Sequence, residues 1–175
     1  MKGALRGRIY FLVMLLGCSI SFQGCVEKIT LPLAAEVSIW NMLQQLPEHS
    51  TLVSALERAG LKVDLDTQGP FTLFAPDNAA FARYLENQLN NNINMIPIPE
   101  LRNLLLFHLS PGRLLSKNMQ TGSILTFLQN QRLNLTVSRS GVILDRNSNV
   151  TEADLDGING TIHLIDNILT PEPAN

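Results

Sequence analysis

The chain has 175 residues, 45% of them hydrophobic and 16% charged, with a formal net charge of −2. That length fits one domain, and the apolar share is too high for a disordered chain. Lys2, Arg6 and Arg8 precede Cys25, and the remainder carries 10 basic against 15 acidic side chains, a balance that excludes nucleic acid as a partner.

The first residues read as a targeting segment. Lys2, Arg6 and Arg8 form a positive n-region, and residues 9–26 then run for 18 positions without a charge. Both cysteines of the chain, Cys18 and Cys25, lie in this run, which excludes a disulfide framework or a thiolate zinc site in the domain. Leu15-Leu16-Gly17-Cys18 and Phe22-Gln23-Gly24-Cys25 each resemble a bacterial lipobox, in which a small residue precedes a cysteine that becomes lipidated. Cys18 has the better local motif, with Leu15 three residues upstream; Cys25 has the better context, because polar sequence begins at Glu27 and Lys28. The expected organisation is a lipoprotein signal peptide over residues 1–24, lipidation at Cys25 with Cys18 as the alternative, a tether over 25–36, a domain over 37–171 and a tail over 172–175. Val26 rather than aspartate follows Cys25, which by resemblance to sorting rules points to the outer membrane or cell surface. The competing reading is an uncleaved membrane helix, since 18 uncharged residues barely span a hydrocarbon core of about 30 Å. Either way the domain stands outside the cytoplasm, tied to a membrane. Several acyl chains on one cysteine give the stable anchor that a single chain does not.

The domain opens with helical spacing. Ile39, Met42, Leu43 and Leu46 recur at i, i+3, i+4 and i+7, and Pro47 stops the run. Ser50 is the expected N-cap of a second helix with Leu52, Ala55, Leu56 and Ala59 on one face, closed by Gly60. Gly69-Pro70 marks a turn, and Phe71-Thr72-Leu73-Phe74 a strand. Ala75-Pro76-Asp77 ends that strand and caps a third helix carrying Phe81, Tyr84, Leu85 and Leu89. The polar, asparagine-rich residues 86–97 read as a loop, and Pro99 and Glu100 suit the first turn of a further helix. That helix, through Leu101, Leu104, Leu105, Phe107 and His108, is apolar nearly all round and is expected to be deeply buried.

The period then changes. Leu133, Leu135 and Val137 alternate with polar residues, residues 138–141 supply a turn, and Val142-Ile143-Leu144 returns, which is a hairpin signal. A last strand is expected over residues 161–169, with Ile162, Leu164 and Ile168 on one side. Helices followed by strands, without regular alternation, give an α+β fold.

Three segments carry a family resemblance. Residues 71–81, running through Phe74-Ala75-Pro76 into Ala80-Phe81, resemble the first signature box of fasciclin (FAS1) domains. Residues 159–171, from Asn159-Gly160-Thr161 to Leu169-Thr170-Pro171, resemble the second. Between them, residues 106–114 resemble the family's Tyr-His segment, with Phe107 where tyrosine is common, followed by His108. The resemblance implies a FAS1-type wedge-shaped β-sandwich with several packed helices. It also implies a role in adhesion or surface attachment. The boxes have a folding rationale of their own: Pro76 has no N–H and ends the strand pairing, and Gly160 is expected to supply a positive φ for a tight turn.

Motifs for chemistry are few. His49, His108 and His163 show no metal-binding spacing, and the last two lie in apolar segments where a buried, hydrogen-bonded ring is the plainer reading. No Gly-x-Ser-x-Gly elbow or phosphate loop is present. Asp64-x-Asp66 copies the start of a calcium loop, but its twelfth position is Ala75 rather than glutamate. Hence neither a cofactor nor a metal is expected. By resemblance to animal members, an aspartate before the second box and the Tyr-His segment point to a contact surface comprising Asp154, Leu155, Phe107 and His108. The plainer reading of Asp154 is an exposed turn carboxylate. The expected function is adhesion or surface recognition of an extracellular or envelope protein or glycan, with membrane attachment through the lipid anchor. The alternatives are an accessory envelope lipoprotein and an unrecognised hydrolase.

Overall fold

The computed structural model describes residues 37–86 and 92–172. The expected signal peptide, Cys18, Cys25, the 25–36 tether, Leu89 and most of the tail lie outside them.

Helix α1 (Ile39–Gln44) starts at Ser38, whose Oγ accepts the Asn41 N–H at 3.2 Å, and it buries Ile39, Trp40 and Leu43. A 3₁₀ turn (Pro47–His49) runs straight into α2 (Ser50–Arg58), so Ser50 is the first helical residue rather than the cap. The N–H of Thr51 is met instead by Asn78 Oδ1 at 2.9 Å. Helix α2 closes as expected at Gly60, which has φ +70°. Leu61 N–H donates to Leu56 O and Gly60 N–H to Glu57 O, each at 3.0 Å, the paired bonds of a Schellman cap. A further helix, α3 (Lys62–Thr67), follows at once; it buries only Leu65 and is too short and too polar to show a period.

Strand β1 (Phe71–Pro76) turns into α4 (Asn78–Glu86), and Asp77 Oδ1 accepts the Ala80 N–H at 2.6 Å, as the sequence predicts. A 3₁₀ turn (Ile93–Met95) leads into α5 (Ile98–Phe107), which buries Leu101, Leu104, Leu105 and Phe107. Strand β2 (Leu109–Pro111) follows, then a 3₁₀ turn (Ser116–Asn118) and β3 (Gly122–Leu125). The predicted hairpin is β4 (Arg132–Ser138) and β5 (Gly141–Leu144); β6 (Ser148–Gly157) and β7 (Gly160–Ile165) complete the chain.

The seven strands form one curved sheet in the order β2-β1-β7-β6-β5-β4-β3. Strands β1 and β7 pair in parallel and the rest are antiparallel. The two outer strands approach each other, for Phe127 N–H just past β3 donates to Leu109 O at the start of β2, at 2.9 Å. The result is the α+β, sandwich-like near barrel with packed helices that the resemblance implies. Its core has two layers. Leu73, Ala75 and Ile162 face the helices with Trp40, Leu56, Phe81 and Leu105, whereas Phe74 and Ile165 face Leu133, Leu135 and Leu144 across the sheet. Strands β1 and β7 are thus covered on both faces, which explains their near-continuous apolar sequences. Phe74, Phe81, Leu104, Leu105, His108 and Ile162 are all buried, as expected.

Three differences from the sequence reading have physical causes. Strand β6 was not anticipated because two register shifts break its alternation, leaving residues 151–154 exposed. Strand β7 stops at Ile165, although Ile168 and Leu169 remain buried beyond it. Gly160 is required by closeness rather than by φ. A Cβ there would meet Phe71 O at 2.3 Å, while the positive φ, +154°, belongs to Gly69, whose own Cβ would meet Asn159 O at 2.2 Å. The two turns are pressed backbone to backbone, and Asn159 Nδ2 bonds Leu65 O and Gln68 O at 2.8 Å each.

Candidate functional site

The four residues expected to form a contact surface divide by environment. Phe107 and His108 are 2% and 1% exposed and present nothing to a partner. Phe107 packs in the sheet-side core. His108 Nδ1 donates to Leu104 O at 2.8 Å and its Nε2 accepts the Leu169 N–H at 3.0 Å, so the neutral ring is fully used. Burial pushes its pKa down to about 4, against a smaller opposing pull from the Leu104 carbonyl. Leu155 is half-buried against the helix-side core. The surface reading is therefore corrected for Phe107 and His108, which the apolar end of α5 turns inward, whereas Leu155 stays partly exposed.

Asp154 is exposed, and it sits at a bulge of β6 with φ +64°, a conformation aspartate tolerates better than most residues. Its carboxylate is already occupied. Oδ1 accepts the Ser116 N–H at 2.7 Å and Oδ2 accepts the Ser116 hydroxyl. Burial pushes this carboxyl up, but the two Ser116 bonds outweigh it, aided by His163 and Lys117, and hold it below the usual carboxylate value. The Asp154 N–H donates to His163 Nδ1 at 3.2 Å, which leaves His163 Nε2–H to donate to Leu114 O at 2.8 Å. That ring also stacks on Phe74, with centroids 5.6 Å apart. Leu114 N–H in turn donates to Thr72 Oγ1, whose hydroxyl donates to Gly112 O. Arg113 is paired with Asp156 and donates to Gly157 O at 2.7 Å. Asp154, His163, Thr72 and Arg113 together bind the 112–118 segment onto β1, β6 and β7. Sequence reasoning reached Asp154 by resemblance but missed its partner Ser116, which stands 38 positions away in a segment with no pattern.

The remaining histidine is used in the same way: His49 Nδ1 lies 3.0 Å from Pro76 O, at the strand-to-helix corner. Among the described residues no group of three or more His, Cys, Asp or Glu is placed to hold a metal ion. Asp66, the second carboxylate of the calcium-like motif, accepts from Ser38 Oγ at 2.6 Å and Asn41 Nδ2 at 3.2 Å. Nor is any described helix long and apolar enough to cross a membrane.

An open apolar feature lies elsewhere. Between α3, the end of α5, β2 and the turn after β3 is a groove of about 160 Å³, lined by Leu61, Leu65, Phe71, Leu106, Leu109 and Phe127, with Asp64 and Gln68 on one wall. Phe71 and Phe127 meet edge to face, with centroids 5.3 Å apart. Phe127 is 38% exposed although large and aromatic. Its sequence signal was available: it stands in the run from Asn118 to Gln131, where no residue is charged.

The geometry agrees with known proteins. The family model described as fasciclin domain matches residues 47–171. Protein sll1483 of Synechocystis sp. is 34% identical over 122 residues, covering 70% of this chain and 67% of that protein. Human periostin is 32% identical over 139 residues, but these cover 78% of this chain and only 16% of periostin. The solved FAS1 domain pair of the insect cell adhesion molecule fasciclin I superposes with a TM-score of 0.66 at 18% identity, over 78% of this chain and 51% of that one. The chain belongs to the fasciclin domain family.

Proposed function

We propose that this is an extracytoplasmic fasciclin module, lipid-anchored at Cys25, that works by surface recognition of a protein or glycan ligand in adhesion and not by catalysis. The observation that carries the reading is the family match over residues 47–171, in a fold shared with a cell adhesion molecule. The state of the polar side chains supports it. His49, His108, His163 and Asp154, the groups best suited to acid–base work, are each committed to backbone partners that hold the fold. At the groove beside Phe127 the surface offers a ligand shape and apolar area. The same groove would serve the second reading, an accessory lipoprotein docked on another envelope protein.

A tethered module does not need tight monovalent binding, because many copies on one surface add avidity of about 10²–10⁴. The test coats beads densely with the wild-type chain or a core-disrupted chain and measures retention on matrix-protein, glycan and envelope-protein panels. Retention of the wild type alone is expected. Equal retention of both on every panel contradicts recognition. The anchor is tested separately by mass spectrometry of the mature N-terminus, where an acylated Cys25 is expected; a chain starting at Cys18, or an intact Met1, contradicts it.

A further inference from the structure

We propose that the groove between α3 and Phe127 is a socket for one arginine side chain of a partner protein. This rests on the recognition reading and names the chemistry of one contact.

Size comes first. At about 160 Å³ the groove is close to the apolar cavity of about 150 Å³ that holds a benzene ring. It is well below the roughly 300–1,000 Å³ of sites for whole small molecules. One side chain fits; a helix or a cofactor does not.

Its lining selects the side chain. Leu61, Leu65, Leu106 and Leu109 make an apolar wall suited to an aliphatic stem. Asp64 is the single charged residue of the lining, and no cation stands with it. One of its oxygens accepts from Gln68 Nε2 at 2.8 Å; the other takes no hydrogen bond among the described residues. An apolar stem ending in a positive head satisfies both halves. Arginine suits the socket better than lysine, because a planar guanidinium can lie flat on one of the two edge-to-face rings, Phe71 or Phe127, and presents a fork of donors to a carboxylate. The charge of the whole domain acts in the same direction, with 15 acidic against 10 basic side chains beyond Cys25, and favours approach of a basic partner.

The test uses the full chain in detergent micelles and follows methyl and aromatic NMR signals. The probes are Ac-Gly-Arg-Gly-NH2 and its citrulline analogue, which keeps the shape and removes the charge. The expected result is millimolar binding of the arginine peptide, with shifts at Phe71, Leu106, Leu109 and Phe127, and binding of the citrulline peptide about tenfold weaker. Asp64→Asn is expected to abolish that difference, and Phe127→Ala to weaken both peptides. Equal binding of the two peptides to the wild type, an arginine preference that survives Asp64→Asn, or shifts confined to other residues would each overturn the proposal. Beads that stay attached while the groove signals do not move would leave recognition standing and remove this socket alone.

Discussion

The ring of His108 joins the end of α5 to Leu169, taking the Leu169 N–H at 3.0 Å while donating to Leu104 O. Both bonds require a neutral ring with its proton on Nδ1. Its pKa of about 4 in the folded chain lies below the usual 6.5, so the unfolded chain takes up a proton first as pH falls. The stabilisation is complete above about pH 6.5 and is lost as pH drops toward 4, by roughly 3 kcal/mol. His163, also lowered by burial, acts in the same direction. The urea midpoint is expected to fall steadily between pH 7 and pH 4.5, and to fall less steeply in a His108→Gln chain. A midpoint unchanged over that range contradicts the buried neutral ring.

Asp154 is predicted to matter for stability before it matters for any ligand. Removing its carboxylate frees Ser116 and loosens the 112–118 segment. Asp154→Ala is expected to cost about 1 kcal/mol, below the usual range of about 1.5–3 kcal/mol for hydrogen bonds to charged groups because the site is exposed. Asp154→Asn should cost less, since asparagine accepts the left-handed backbone and keeps one acceptor. Denaturant titration of the two variants checks this; no loss in either would mean the Ser116 contacts contribute nothing.

Gly160 and Phe81 test the two signature boxes. Gly160→Ala would place a methyl group 2.3 Å from the carbonyl oxygen of Phe71, in a backbone that cannot give way without breaking the β1–β7 register. A loss above about 3 kcal/mol, or no folded protein, is expected from strain of this kind.

Phe81 is 1% exposed between the helices and β1, and Phe81→Ala should cost about 3–5 kcal/mol. Calorimetry of both variants reads the effect. A loss below about 1 kcal/mol at Phe81 would contradict the core described above.

How much of this was legible in the sequence differs by kind of interaction. Periodicity located α1, α2, α4, α5 and the β4–β5 hairpin, because each shows one apolar face over several turns or alternations. Asp77 was legible as a cap because that signal is local. Ser50 was misread since its neighbour, the 3₁₀ turn, altered where the helix begins. Strand β6 escaped notice because its bulges cancel the period of two, and α3 because six residues are too few. At the candidate site the limit was sharper. The apolar run of α5 already implied that Phe107 and His108 are buried, against the surface role the resemblance gave them, but local sequence cannot tell that Asp154 meets Ser116 across 38 positions or that Phe127 reaches Phe71.

The proposed function rests on surface recognition by the folded domain, weak per copy and firm in numbers. Retention of beads on a capturing panel is measured as the density of displayed protein is raised, for the wild type and for a core variant that circular dichroism shows to be unfolded. A steep rise with density is expected for the wild type, as multivalent contacts accumulate, and none for the unfolded chain at any density. Retention that is independent of density, or matched by the core variant, would contradict it.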